Sequence, residues 1–175
     1  TYYVRRGLKD VDLLRRAHQV MRSKVAEVWA MQSASSSSPA LSITSAEQLL
    51  VLASIIEKET GVDADRAQIS QVFHKRLSRN MRLQTDPTVI YAVGKSFDGD
   101  IRRKDLRIDS PYNTYRYKGL PPTPIALPSL QSLLAAAQPA DGDFLYFVAR
   151  GDGSSQFSAT LAQHNAAVRR YQLGQ

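Results

Sequence analysis

Residues 44–60 read TSAEQLLVLASIIEKET and predict a buried helix near the middle of the fold. Thr44 and Glu47 have the spacing of a capping box, which marks the start of a helix. Apolar residues from Leu49 to Ile56 then cover almost every side of that helix, as is typical of a helix inside a core. The helix runs directly into Glu57-Lys58-Glu59-Thr60, so two acidic side chains lie at the end of an apolar segment.

These two glutamates are the first candidates for chemistry. A carboxylate beside apolar groups is costly unless it is paired, hydrogen-bonded or protonated. Burial also raises the pKa of a carboxyl, which suits it to act as a general acid near neutral pH. Glu57 and Glu59 lie about 200° apart around a helix, so only one of them can face a given cleft. The alternative is a solvated helix end, with Lys58 between two acids.

The rest of the chain is predicted to be mostly helical, with one small hairpin, which gives an α+β fold. A short strand is expected at 81–85, and a short helix is expected from the cap Asp86, with Pro87 in its first position, to Gly94. Residues 144–149 and 156–158 have the pattern of a β-hairpin. Periodicity and capping residues predict the other helices, at 10–31, 64–79, 129–138 and 160–171.

A length of 175 residues predicts a single domain over 1–175. Within it, the serine-rich residues 32–43 are expected to form a flexible loop. The first ten residues are basic, but no apolar run follows them, so neither a signal peptide nor a membrane anchor is predicted there. The chain starts at Thr1 without an initiator Met, and we expect it to be a piece of a longer protein.

Composition excludes several classes of site. The absence of cysteine removes disulfides, thiolate metal sites and cysteine nucleophiles together. His18, His74 and His164 have no ligand-like neighbours, and no HExxH, P-loop or GxSxG motif occurs, so no metal site and no Ser-His-Asp site is predicted. The net charge of +7 permits an anionic partner such as nucleic acid, phospholipid or an acidic wall polymer, without choosing among them.

Two polar segments add candidate binding residues. In the first, RLQTDPT at 82–88, Gln84 offers donors and acceptors of the kind that grip amides and sugar hydroxyls. The second is SPYNTY at 110–115, which is followed by GLPP at 119–122. Tyrosine and asparagine close together suit a carbohydrate groove, because aromatic faces stack on sugar rings. Tyrosines beside Arg116 and Lys118 also allow a single-stranded nucleic-acid site.

Six segments in this order resemble the YceG-like, or MltG, family of endolytic murein transglycosylases. They are LASIIEKET at 52–60, MRLQTDPTVIY at 81–91, YNTY at 112–115, GLPP at 119–122, LYFV at 145–148 and His164-Asn165. The resemblance covers the chain from about Asp10 to Tyr171.

The resemblance implies a lysozyme-like catalytic domain that cleaves the β-1,4 bond between N-acetylmuramic acid and N-acetylglucosamine without hydrolysis. The C6 hydroxyl of the muramic acid attacks its own C1 and leaves a 1,6-anhydro end. No metal or organic cofactor is implied. A LysM-like module and an N-terminal membrane anchor are expected to precede the domain in the full protein, on the outer face of the inner membrane. The expected partners are peptidoglycan strands and cell-wall synthesis proteins, not nucleic acid.

The same resemblance implies the site residues. The second glutamate of the Glu-Lys-Glu-Thr motif falls on Glu59, which is the expected acid and base. Gln84, Tyr112 and Asn113, with Tyr115, are expected to line the groove by a looser analogy to soluble lytic transglycosylases. Glu57 is expected to be structural, paired with Arg66 or another base.

Two alternatives remain open at this point. A conventional muramidase would need a second carboxylate, for which Asp86 is the candidate. A non-enzymatic module that binds nucleic acid or cell-wall glycan would show strongly salt-dependent binding without turnover.

Overall fold

A computed structural model describes residues 3–34 and 41–174. The described part is α+β, as the sequence predicts, with six α-helices, two short 3-10 turns at Gly94–Ser96 and Asp105–Arg107, and one two-stranded antiparallel sheet. The helices are α1 (Asp10–Ala34), α2 (Ala46–Glu59), α3 (Asp63–Ser78), α4 (Asp86–Val93), α5 (Leu130–Ala137) and α6 (Leu161–Gln172). The strands are β1 (Tyr146–Ala149) and β2 (Ser155–Ser158).

Helix α2 forms the centre of the core. Leu49, Leu52, Ile55 and Ile56 are completely buried, and α5, α1, α4 and α3 pack around the helix. Such a helix cannot move without disturbing most of the core, so its last turn is a rigid place from which to present a side chain.

The start of α2 differs from the prediction by one residue. The hydroxyl of Ser45, not that of Thr44, accepts from the backbone N–H of Gln48, at 3.3 Å. The Gln48 side chain in turn accepts from the backbone N–H of Thr44, at 2.8 Å. The predicted box of Thr44 and Glu47 was therefore wrong in its register, because serine and glutamine supply the same two groups one position later.

Helix α1 is longer than predicted and ends at Ala34. It is anchored to the core by Val25 and Val28, while Val11, Leu14 and Val20 of its first half are exposed. Residues 35–40, half of the serine-rich loop predicted at 32–43, lie outside the described residues. Among the helices that are described, none combines the length and apolar character needed to cross a membrane.

Residues 79–85 connect α3 to α4 without forming the strand that was predicted at 81–85. Helix α4 starts at Asp86, and Thr85 occupies the cap position without a capping side-chain bond. The predicted capping role of Asp86 was wrong, because its carboxylate accepts from the hydroxyl of Tyr115 at 2.5 Å instead. Gly94 ends α4 with a φ of 63°, a left-handed conformation that favours glycine.

The hairpin of β1 and β2 is enclosed on both faces. The ring of Tyr146 stacks on that of His164 in α6, with centroids 5.2 Å apart. On the other face, Phe147 meets Phe73 of α3 edge to face at 6.0 Å. The register Tyr146↔Ser158 to Ala149↔Ser155 agrees with the predicted hairpin. The strands therefore join α6 to the helical core.

Candidate active site

A cleft of about 610 Å³ lies where the last turn of α2 meets the hairpin and α6. Its lining comes from α2, α3, the segment before α4, the first residue of α4, the 110–115 loop, both strands and α6. Among its polar and aromatic residues are Glu59, Arg76, Gln84, Asp86, Tyr115, Tyr146, His164 and Asn165. Three residues predicted for a site, Glu59, Gln84 and Tyr115, are therefore brought together in one cavity.

Glu59 is the last residue of α2, and its side chain is half-buried. The hydroxyl of Thr85 donates a hydrogen bond to its Oε1 atom. Burial and, to a lesser extent, the negative charge of Asp86 raise the pKa of the Glu59 carboxyl to about 7, against opposing effects of the Thr85 hydroxyl and the positive Arg76. Near neutral pH this carboxyl is populated both with and without its proton, as acid–base work requires.

Arg76 lines the cleft and connects segments on its two sides. It is only 7% exposed. Its Nε atom donates to the carbonyl of Leu145 at 2.7 Å, and its Nη1 atom donates to the carbonyl of Leu83 at 2.6 Å. Its Cζ atom lies 5.3 Å from the ring centroid of Tyr146, which is a cation–π distance. One buried cation thus ties α3 to the segment before α4 and to the start of the hairpin.

Tyr115 and Asp86 form a second polar pair on the cleft. Burial raises the pKa of the Tyr115 phenol, and its hydrogen bond to Asp86 raises it further. The phenol therefore stays protonated and acts as a donor. One oxygen of Asp86 is occupied by this bond, which holds the tyrosine ring against the start of α4.

Gln84 presents an exposed side chain to the cleft from a strained backbone. Its φ is 53°, a left-handed conformation that costs a non-glycine residue about 1–3 kcal/mol. Two hydrogen bonds to Thr114 stabilise this conformation. The Gln84 N–H donates to the Thr114 carbonyl at 3.2 Å, and the Thr85 N–H donates to the Thr114 hydroxyl at 3.1 Å. This turn directs the Thr85 hydroxyl toward Glu59.

Glu57 faces away from the cleft. Its Oε2 atom accepts from the Ser129 N–H at 2.9 Å, from the Ser129 hydroxyl at 2.6 Å and from the Ser132 hydroxyl at 2.6 Å. Burial alone raises the pKa of Glu57, but these hydrogen bonds and the charge of Arg66 outweigh it, so the pKa is lowered overall. Arg66 acts on Glu57 only through its charge, since its ion pair is with Asp63.

Two predicted groove residues lie elsewhere. Asn113 is completely buried; its amide donates to the carbonyls of Leu106 and Ile108 at 3.1 and 2.9 Å, and its oxygen accepts from the Tyr115 N–H at 3.0 Å. Because Asn113 has no exposed surface and both its amide nitrogen and its oxygen are bonded inside the protein, it cannot line the groove, and that expectation was wrong. Tyr112 is also absent from the lining of the cleft: its ring packs on Tyr91 with centroids 4.7 Å apart. Both residues shape the loop that carries Tyr115.

Several lining residues were given no role from the sequence, among them Arg76, Tyr146, His164 and Asn165. Two segments that carried the family resemblance contain the last three of them, which was a usable signal. Arg76 gave none, because its partners are backbone carbonyls. Burial and the nearby charge of Arg76 lower the pKa of His164, so its ring is neutral near pH 7. Over residues 3–34 and 41–174, no group of three or more histidine or acidic side chains could hold a metal ion.

Comparisons with known proteins identify a family and relatives for this chain. The model of the YceG-like family matches residues 1–170. The endolytic murein transglycosylase of Bacillus subtilis is 50% identical over 127 residues, which are 73% of this chain and 35% of that protein. The endolytic murein transglycosylase of Streptococcus pneumoniae strain D39 is 42% identical over 107 residues, 58% of this chain and 19% of that protein.

A solved structure supports the same relationship. A YceG-like protein of Listeria monocytogenes superposes with a TM-score of 0.76 at 37% identity, over 95% of this chain and 51% of that chain. The chain thus spans about half of that structure, and about a third of the Bacillus relative.

Proposed function

This chain belongs to the YceG-like family, and on that premise we propose that it is an endolytic lytic transglycosylase of peptidoglycan. It cleaves the β-1,4 bond between N-acetylmuramic acid and N-acetylglucosamine within glycan strands and leaves a 1,6-anhydro end. The observation that carries the proposal is the carboxyl of Glu59, which lines the large cleft and has a pKa of about 7.

Glu59 acts first as the acid and then as the base. Its proton goes to the glycosidic oxygen as the bond to the muramic acid C1 breaks, and the N-acetylglucosamine leaves as an alcohol. The resulting carboxylate accepts the proton of the C6 hydroxyl as that oxygen bonds to C1, which restores the acid. The attacking group belongs to the same sugar and is already close to C1, so no water needs activation by a second carboxylate.

The neighbours of Glu59 support this cycle. The Thr85 hydroxyl orients the carboxyl, and Arg76 holds the segment of Thr85 against the hairpin. Gln84 and Tyr115 contact the substrate directly, through an exposed amide and a protonated phenol. Tyr112 and Asn113 act indirectly, by fixing the loop of Tyr115.

The reaction places the protein outside the cytoplasm, where its substrate is. In the full-length protein we expect an N-terminal anchor and a LysM-like module before this domain, and cell-wall synthesis proteins as partners. The charge of +7 then faces an acidic wall polymer and takes no part in the chemistry.

A test is product analysis on uncrosslinked peptidoglycan strands. The 175-residue chain is incubated with the strands, and the new ends are identified by mass spectrometry. We expect 1,6-anhydro-muramic ends, and none above background with Glu59→Gln. Reducing muramic acid ends would instead indicate a muramidase that uses Asp86. Formation of 1,6-anhydro-muramic ends by Glu59→Gln at the wild-type rate would show that Glu59 is not the acid and base.

A further inference from the structure

The edge of β1 is a feature that the proposed reaction leaves unused. All four residues of β1, from Tyr146 to Ala149, line the same cleft as Glu59. Successive side chains of a strand point to opposite faces. Four consecutive residues reach one cavity only if the edge of the strand, and hence its backbone, runs along that cavity.

The hydrogen bonds of the hairpin identify which backbone groups face the cleft. Arg150 N donates to Ser154 O at 2.9 Å, a pair that continues the register of the strands, whereas the bond from Leu145 N to Ser158 O lies one residue outside that register. Followed along the register to Val148↔Gln156, the Arg150 bond makes the even-numbered residues of β1 the hydrogen-bonded partners of β2. The N–H and C=O groups of Phe147 and Ala149 therefore point away from β2.

Nothing in the described chain occupies these outward groups. Within residues 3–34 and 41–174, no backbone or side-chain atom hydrogen-bonds to the N–H or C=O of Phe147 or Ala149. The preceding outward group, the carbonyl of Leu145, accepts from Arg76. The free part of the edge thus begins next to Arg76 and leads away from it along the cleft.

The faces of the hairpin offer no comparable site. Tyr146 is covered by His164, and Phe147 packs on Phe73. Within the part of the chain that the structure describes, the edge of β1 is left open, and it presents donors and acceptors at two positions about 6.7 Å apart. That array matches an extended peptide, which pairs with a strand edge through its own backbone. An N-acetyl group, with a single amide, would satisfy only part of it.

We propose that this edge, through the backbone of Phe147 and Ala149, binds the peptide stem of the glycan substrate as an added strand. The inference rests on the proposed function. In peptidoglycan the stem starts from the lactyl group of muramic acid, so it emerges beside the bond that Glu59 would cleave. Binding the stem would select strands that still carry peptides over bare glycan.

The substitution Ala149→Pro tests the proposal by removing one hydrogen-bond donor, the backbone N–H of residue 149. Proline removes the outward N–H without taking a bond from the ladder, and proline is tolerated where a strand N–H faces away from its partner. Ala149→Val is the matched control, because it keeps the N–H and favours the strand. The kcat/KM of each variant is measured on stem-bearing strands and on the same strands after an amidase has removed the stems.

We expect the wild type and Ala149→Val to prefer stem-bearing strands, and Ala149→Pro to lose about two- to tenfold on these strands alone, the effect of one hydrogen bond. Equal rates of the wild type on both substrates would overturn the inference while leaving the transglycosylase proposal intact. Cleavage of neither substrate by the wild type would instead count against the proposed function.

A second measurement avoids variants altogether. Soluble stem peptide is titrated into the wild-type chain and the backbone amides are followed by NMR. Shifts that saturate at Phe147 and Ala149 are expected, together with slower hydrogen exchange there. Shifts elsewhere, or none at millimolar peptide, would refute the strand-edge site even if Ala149→Pro failed to fold.

Discussion

Glu57 and Glu59 lie in the same last turn of α2 and have opposite environments. Glu57 has its Oε2 atom filled by the N–H and hydroxyl of Ser129 and the hydroxyl of Ser132, and its pKa is lowered. Glu59 receives one hydroxyl, from Thr85, and its pKa is raised to about 7. Both are half-buried, so exposure alone does not separate them.

Burial, the number of donors and the neighbouring charges together account for the difference. Hydrogen bonds to the charged form of a carboxyl lower its pKa, and burial without enough of them raises it. The carboxylate of Glu57 contacts the start of α5, where Ser129 supplies both a backbone and a side-chain donor. Glu59 faces the cleft, where water is partly excluded and Asp86 adds a like charge. A stabilising and a reactive carboxyl thus arise two residues apart.

The largest expected effect separates the two glutamates by activity. Glu59→Gln removes the group that exchanges the proton, and we expect the rate of glycan cleavage to fall by about 10²–10⁴-fold. Glu57→Gln keeps an oxygen acceptor for the serines and should stay within a few-fold of the wild type. Initial rates of anhydro-end formation measure both, with circular dichroism as a check on folding. Similar losses in the two variants would break the comparison.

Stability should respond in the opposite order. Glu57→Ala leaves the donors of Ser129 and Ser132 without their acceptor, and we expect a loss of about 3 kcal/mol in the free energy of unfolding. Glu57→Gln should lose less, because it retains one oxygen. Urea unfolding at pH 7 gives both values. A loss below about 1 kcal/mol for Glu57→Ala would mean that water replaces the carboxylate at the start of α5.

The geometry of a helix was enough to predict that the two glutamates face different surroundings. It did not indicate which one faces the cleft, since the deciding partners, Thr85 and Ser129, are distant in sequence. The resemblance to a family resolved that choice. Leu49 to Ile56 were predicted to be core because an all-apolar helix has no other place to lie.

The binding residues were harder to predict for the same reason. An asparagine in a tyrosine-rich segment offers the same hydrogen-bonding groups to a sugar and to the protein backbone. In this structure the Asn113 amide donates to the carbonyls of Leu106 and Ile108. Arg76 looked like one more cation in a basic chain. Its importance depends on carbonyls of Leu83 and Leu145, which no sequence pattern marks.

The pH dependence of stability should have opposite signs at the two glutamates. The pKa of Glu59 in the folded state, about 7, is above its ordinary value of 4.5, so its contribution is full below pH 4.5 and is lost as pH rises through 7. The wild type should therefore lose free energy of unfolding between pH 4 and pH 8 that Glu59→Gln does not lose. The difference should amount to about 2 kcal/mol after allowance for the partial exposure of Glu59.

Glu57→Gln is the matched control for that experiment. Its pKa is lowered in the folded state, so the wild type gains stability from this residue as pH rises and loses it as pH falls. The free energy of unfolding of Glu57→Gln should accordingly fall further below that of the wild type between pH 4 and pH 8. Urea titrations at both pH values give the two signs. If both differences changed in the same direction, the assigned environments would be wrong.

The smallest expected effect concerns the single hydrogen bond at Glu59. The Thr85 hydroxyl lowers the pKa of the carboxyl, so Thr85→Val should raise it. Because Glu59 must carry its proton to start the reaction, kcat/KM should decline above a pH near the pKa of about 7 in the wild type. In Thr85→Val the pH at which kcat/KM declines should be higher by about half a unit, which is the effect of one hydrogen bond.

Thr85→Ser keeps the hydroxyl and should retain the wild-type profile, which separates the hydrogen bond from the packing of the methyl group. A profile that stays in place in Thr85→Val, with only its height reduced, would show that Thr85 positions Glu59 without setting its protonation. The raised pKa would then come from burial and Asp86 alone. The contrast with Glu57 would in that case depend on where each carboxyl is buried and not on how many donors it has.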